Sequence, residues 1–245
     1  PNRRIEMKAY MVMSEKIVEP FGDHPRECLI ANRPLGDPQE RYLKKLGLTL
    51  VPVAPGTSID EVDEMDEHLI FDDSLYFTPE LLQEFITRSR SLGHDTIAAL
   101  KKGITTLRTI TPTQQVIEHN DHIDYRLRYV PPKGHRRGEV RPVVIDPDGL
   151  SESVPMSEHI YETGQYVVPL TEKLLIQIEH WANLWVANVI TLLSELAKLK
   201  RGSKFRLLWL ALKARSVNQW KILHRANHIG RNCDIHPTAY IEGST

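Results

Sequence analysis

Cysteine is scarce. Cys28 and Cys233 are the only two in 245 residues, and they lie far apart. That leaves no disulfide framework and no cysteine-based zinc spacing, so a reduced, cytoplasmic chain is the simpler expectation. Long apolar runs are missing too: none approaches the roughly 20 residues that span a bilayer. Arg3, Arg4, Glu6 and Lys8 break up any signal-peptide core at the start. Acidic residues are absent from 198–231, where ten Lys or Arg stand unopposed, while residues 1–197 carry thirty Asp or Glu. The net charge of −1 therefore conceals a basic segment behind an acidic body.

What is present alternates strands with helices. Met7 to Ser14 reads as a buried strand, Leu48 to Val53 as a second and Leu69-Ile70-Phe71 as a third, ending at Asp72-Asp73. Asp37-Pro38-Gln39-Glu40 predicts a helix start with Asp37 as cap, and Gly47 its stop. Thr78-Pro79-Glu80 predicts another, closed by Gly93. This order argues for a mostly parallel, Rossmann-like sheet with crossover helices. The acidic run from Asp60 to Glu67 reads as a solvated helix or loop. So does Glu118-His119-Asn120-Asp121-His122, as a polar turn despite its metal-binding residue types. From 103 to 170, strand-like segments at Tyr125–Val130 and Val140–Ile145 suggest a smaller mixed-sheet subdomain.

A long helix is expected from Thr171, with Leu174, Ile178, Trp181, Trp185, Leu192, Leu196 and Leu199 forming one apolar stripe that Asn188 interrupts. Gly202-Ser203 ends it, and a basic amphipathic helix follows, from about Lys204 to His224. Lys204, Arg206, Trp209, Lys213, Arg215, Trp220 and Lys221 make this a candidate membrane-surface element. Packing between domains is the competing reading. No nucleic-acid module accompanies it, so nucleic acid is not an expected partner. At the end, Ile229, Ile235 and Ile241 recur every six residues, each followed four positions on by Cys233, Ala239 or Thr245. That is the period of a left-handed β-helix with isoleucine in its core. The division expected is 1–170, 171–228 and 229–245, with further coils after Thr245 because one coil cannot bury its own isoleucines.

The stretch from Pro25 through Arg26 to Arg33-Pro34-Leu35, then Leu43-Lys44-Lys45-Leu46-Gly47, resembles the sugar-phosphate nucleotidyltransferases. Ile70 to Thr78 resembles that family's strand ending in Gly-Asp, and His228-Ile229-Gly230 to Gly243 resembles the entry coil of hexapeptide-repeat acyltransferases. The order is similar to the bifunctional N-acetylglucosamine-1-phosphate uridyltransferase/acetyltransferases. That resemblance implies a nucleotidyltransferase-like α/β domain, a helical arm and the start of a β-helix. It implies Asp73 as a ligand of catalytic Mg2+, Arg26 and Asp72 as phosphate- or sugar-binding residues, and a sugar phosphate or nucleotide sugar as substrate. It also implies an acyl-CoA or acyl carrier for the later domain, a homotrimer, and a place in the cytoplasm or at the inner membrane surface. His236 belongs to the repeat and reads as structural.

The departure lies after the first strand. Where the family has a glycine-rich phosphate loop, this chain has Ser14-Glu15-Lys16-Ile17-Val18-Glu19-Pro20-Phe21-Gly22-Asp23, with one glycine and two glutamates. The family lysine is Arg26, and the glycine before the metal aspartate is Asp72. Two readings follow. In one, the α/β domain is degenerate and positions a substrate or partner for an acyltransferase. In the other, it is an active magnesium-dependent sugar-1-phosphate nucleotidyltransferase for envelope polysaccharide.

Overall fold

The structure is a computed structural model that describes residues 7–201, apart from 21, 56–65, 110, 134–138, 156 and 160–163, together with residue 212. Contacts divide the chain after Thr191 into two units, and the candidate site lies in the first. Its first half runs β1 (Met7–Val12), β2 (Leu29–Ile30), β3 (Arg33–Pro34), α1 (Gly36–Lys45), β4 (Leu48–Val53), β5 (His68–Asp72), β6 (Leu75–Phe77) and α2 (Pro79–Leu92). Then come β7 (Thr96–Lys101), α3 (Ile104–Arg108), β8 (Ile117–Glu118), β9 (His122–Val130) and β10 (Arg141–Ile145). The last elements are β11 (Leu150–Pro155), β12 (Gln165–Leu170), β13 (Leu175–Gln177) and α4 (Trp181–Arg201).

The central sheet has the order β10-β7-β9-β5-β1-β4, with β8 beside β9. β4, β1 and β5 are parallel, as are β7 and β10, and β9 alone runs against them. The class is α/β with a mostly parallel sheet. Residues 103–170, which the sequence suggested as a smaller mixed-sheet subdomain, divide instead: β11 and β12 pair only with each other, and the other strands join the main sheet. β9 and β10 complete the main sheet, because Ile123, Tyr125, Leu127 and Tyr129 alternate along β9 and bury one face in the main core with Phe71, Leu81 and Phe85. That leaves Asp124, Arg126 and Arg128 on the opposite face.

Two helix expectations need correction. α1 starts at Gly36, and its N-cap is Leu35, which makes no side-chain capping bond; Asp37 lies inside the first turn. The Leu35 N–H donates to Cys28 O at 3.0 Å, which holds the chain at an entry to the helix two residues early. The helix expected from Thr171 starts ten residues later. Leu175-Ile176-Gln177 pairs antiparallel with β6 instead, and Thr171 donates to Pro147 O. Of the expected apolar stripe, Leu174 and Ile178 are buried but precede the helix, while Trp181, Trp185 and Leu192 on the helix are 46%, 54% and 40% exposed. The buried face carries Ala182, Val186, Ala187 and Ile190, of which the last three pack in one cluster with Tyr76, Ile176 and Ile178. Among the described residues no helix is long and apolar enough to cross a membrane.

Candidate functional site

In an open α/β sheet, a ligand crevice forms at the carboxyl ends of the strands, where neighbouring strands send their connections to opposite sides. Here that point lies between β1 and β5: β4 flanks β1 on one side and β5 on the other. Asp73 follows β5 directly. Its N–H donates to Val12 O at 3.0 Å, and its carboxylate Oδ2 accepts the Ser14 N–H at 2.7 Å. His24 Nε2 lies 2.8 Å from Ser14 O and 3.3 Å from Asp73 Oδ2. A proton on Nε2 serves both acceptors and leaves Nδ1 to accept the Arg26 N–H at 3.4 Å. Asp73 is fully buried, and its Oδ1 has no hydrogen-bond donor. Burial pushes its carboxyl above the ordinary 3.8, against the Ser14 N–H, the Ser74 N–H and the Arg26 charge.

The chain from Ser14 to His24 is held over this point. Val18 is fully buried beside Leu35, Tyr76 and Ile176, worth about 1.5–3 kcal/mol for such a side chain. Val18 N–H donates to Asp23 O at 2.9 Å, with Gly22 at φ +73° supplying the left-handed turn. From the other side, buried Gln39 of α1 donates its amide to both Asp73 O and Leu75 O, each at 2.9 Å.

Asp72 points to the opposite face of the strand. Its Oδ2 accepts Arg126 Nη1 at 2.8 Å, and Gln177 Nε2 lies 3.4 Å away. Gln177 also donates to Ser74 Oγ at 2.6 Å and is held by its N–H on Gln114 Oε1. Burial raises the Asp72 carboxyl, Arg126 opposes that, and the Asp73 and Glu179 charges add to the rise. Glu179 pairs with Lys16 at 3.1 Å and accepts the Gln115 N–H at 2.6 Å. Arg126 and Lys16 are each about half exposed, so this second group opens to solvent while Asp73 does not.

Arg26, the other expected anion ligand, pairs with Glu40 at 2.8 Å. Its guanidinium lies over the first turn of α1, where a Cβ at Gly36 would come within 2.9 Å of Nη2. Its charge still lowers the Asp73 carboxyl somewhat. Arg26 and Asp73 thus belong to one side of the crevice and Asp72 with Arg126 to the other.

Sequence reasoning missed His24, Gln39, Arg126, Gln177 and Asn188. Asn188, the polar break in the helix stripe, accepts the Ala31 N–H at 2.9 Å and donates to Leu29 O at 2.8 Å. It thereby holds a turn in which Ala31 and Asn32 both have positive φ. Arg126 was readable only from its place between Tyr125 and Leu127, on the face away from the core. A separate polar group forms at the turn into β9, where His119 and His122 meet Asp124. A cavity of about 540 Å³ lies at the other end of β1 and β4, near Met7 and Leu48, and takes no part in this chemistry. Lys204, Arg206, Trp209, Lys213, Arg215, Trp220 and Lys221 lie outside the described residues, as do Ile229, Ile235 and Ile241.

No protein-family model matches the sequence, and no curated protein matches it. Solved structures similar to this chain include one described as a glucose-1-phosphate thymidylyltransferase from Bacillus anthracis, with 7% identity and a TM-score of 0.45 over 75% of this chain and 94% of that one. The inositol-1-phosphate CTP transferase of T. maritima shares 12% identity with a TM-score of 0.43, over 76% and 97% of the two chains. A UDP-glucose pyrophosphorylase complexed with UDP-glucose shares 7% with a TM-score of 0.41, over 76% and 99%.

Proposed function

We propose that this chain carries a nucleotidyltransferase-like α/β domain whose own mononucleotide crevice is closed, so that it holds a substrate or partner and does not transfer a nucleotidyl group. The observation that carries this reading is the bond from the Ser14 N–H to the Asp73 carboxylate at 2.7 Å. Phosphate loops work by presenting free backbone N–H groups to an anion. Here the Met13 N–H, first after β1, is taken by Val53 O, the next, of Ser14, is satisfied by a carboxylate of the same chain, and buried Val18 pins the segment that follows.

Magnesium does not fit Asp73 in this arrangement. The ion requires near-octahedral oxygen ligation and usually keeps several waters. A fully buried carboxylate with one oxygen already accepting an N–H offers no room for them. Asp72 is closer to solvent, but Arg126 neutralises it at 2.8 Å.

The sugar-facing role falls to the open group of Asp72, Arg126 and Lys16, whose donors and acceptors suit the hydroxyls or phosphate of a sugar phosphate or nucleotide sugar. Under this reading the hexads of 229–245 begin a trimeric acyltransferase using acyl-CoA or an acyl carrier. The basic stretch 204–225 supplies peripheral membrane contact. The active-enzyme reading draws support from one feature, the donorless Asp73 Oδ1, a buried acceptor that a bound cation would satisfy; it requires the loop to leave.

Pyrophosphate release separates the two. ATP, CTP, GTP, UTP and dTTP, each with Mg2+ and a panel of sugar 1-phosphates, should give no release above a protein-free blank. Turnover with any pair, abolished in Asp73→Ala, would establish the active enzyme instead.

A further inference from the structure

We propose that His119, His122 and Asp124 form a binding site for one divalent transition-metal ion of the zinc class. The hairpin between β8 and β9 brings them together. Ile117 pairs with Asp124 and Glu118 with Ile123, and the His119 N–H donates to His122 O at 2.9 Å across the tight turn. Strand alternation then places His122 and Asp124 on one face of β9. The two imidazoles stack, centroids 4.5 Å apart and planes 18° from parallel, with both Nε2 atoms directed at the same carboxylate. His119 Nε2 is 3.0 Å from Asp124 Oδ2, and His122 Nε2 is 3.5 Å from Asp124 Oδ1. Ligand atoms around a tetrahedral ion with bonds of 2.0–2.1 Å stand roughly 3.3 Å apart. The two observed separations bracket that value, and one ligand atom from each residue falls within 4.8 Å of the others.

The hydrogen bonding favours a cation over a plain polar turn. His122 Nδ1 lies 2.7 Å from Asp121 Oδ1, an acceptor, so this nitrogen carries the proton. The other nitrogen, Nε2, then faces Asp124 Oδ1 at 3.5 Å, an oxygen that is buried and accepts no hydrogen bond. That separation is long for a direct hydrogen bond and close to the spacing of two ligand atoms on one tetrahedral ion. A carboxylate on the outer nitrogen of a histidine is also the usual device that orients the inner nitrogen on a metal. His–Asp pairing alone explains the contact of His119 with Asp124 and leaves Oδ1 unexplained. Imidazole with carboxylate suits zinc, cobalt and nickel better than the all-oxygen preference of magnesium or calcium. His119 is 44% exposed, against 14% for His122 and 12% for Asp124, so one side of the site stays open for a water or a ligand oxygen.

The test is a Co2+ titration of the whole, tag-free chain after chelator treatment, followed by visible absorption, with Zn2+ calorimetry alongside. One equivalent should bind with the ligand-field bands of a low-coordinate site, and Zn2+ should displace it. His119→Gln and Asp124→Asn should abolish those bands. Asp121→Asn, at an exposed position where folding is not at risk, should weaken binding by about tenfold or more. His159→Gln, an exposed histidine elsewhere, should change nothing. Absence of saturable binding in the wild type would overturn the proposal. So would binding in His119→Gln and Asp121→Asn equal to that of the wild type.

Discussion

Asp73→Ala is expected to destabilise the domain by about 2–3 kcal/mol in urea titration at pH 7, whereas Asp73→Asn should cost less than about 1 kcal/mol. The alanine leaves the Ser14 N–H without its acceptor and removes the hydrogen bond that ties the β1 loop to β5. The asparagine keeps a carbonyl oxygen in that place and removes the cost of holding a buried charge. The pH dependence follows from the same carboxyl. Burial raises its folded value above the ordinary 3.8. The folded state therefore holds that proton more tightly than the unfolded chain does. The group's contribution is fully present below 3.8 and is lost as pH rises through the raised folded value. Wild type should therefore lose ground to Asp73→Asn as pH rises above about 4. Equal losses in the alanine and asparagine variants would mean that the Ser14 bond contributes little to closure.

Gln39→Leu is expected to cost about 2 kcal/mol, although it replaces a polar side chain in the interior by an apolar one of similar size. The amide of Gln39 satisfies two carbonyls at once, Asp73 O and Leu75 O, and the leucine would orphan both. Part of the loss is returned, since the Gln39 Oε1 is itself buried without a donor. Arg126→Ala makes the contrast: its ion pair with Asp72 is half exposed on the arginine side, so its removal should change stability by less than about 1 kcal/mol. Hydrogen exchange at Ser14 should quicken in Gln39→Leu, because the turn that carries Asp73 loses its anchor on α1. Unchanged exchange there would separate Gln39 from the closure of the loop.

Local signals carried the sequence reading well. Leu48 to Val53 is β4, and α2 begins with Pro79 after Thr78 and ends on Gly93 at φ +63°. These elements are written in caps, breakers and short apolar runs, which act within a few residues. The placement of β9 was not legible, because its alternation shows a strand but not its partners, and those partners are β5 and β7, far away in sequence. The face of α4 misled for another reason. Trp181 and Trp185 at helical spacing look like a core stripe, yet the cluster with Tyr76 and Ile178 is joined by Val186, Ala187 and Ile190 from another face. At the site, the position of Asp73 at a strand end was readable. That its carboxylate takes the N–H of Ser14, 59 residues earlier, was not. The His119–His122–Asp124 group was half visible: two histidines stood out, and the aspartate became a partner only through the hairpin register.

Calorimetric titration of the whole chain with ATP, CTP, GTP, UTP and dTTP in the presence of Mg2+ tests the closed crevice most directly, since it depends on no choice of sugar. The account predicts no heat of binding at micromolar ligand from any of the five, with Asp73→Ala behaving the same way or gaining weak binding as the loop is released. Micromolar binding of one nucleotide to the wild type, lost in Asp73→Ala, would contradict it.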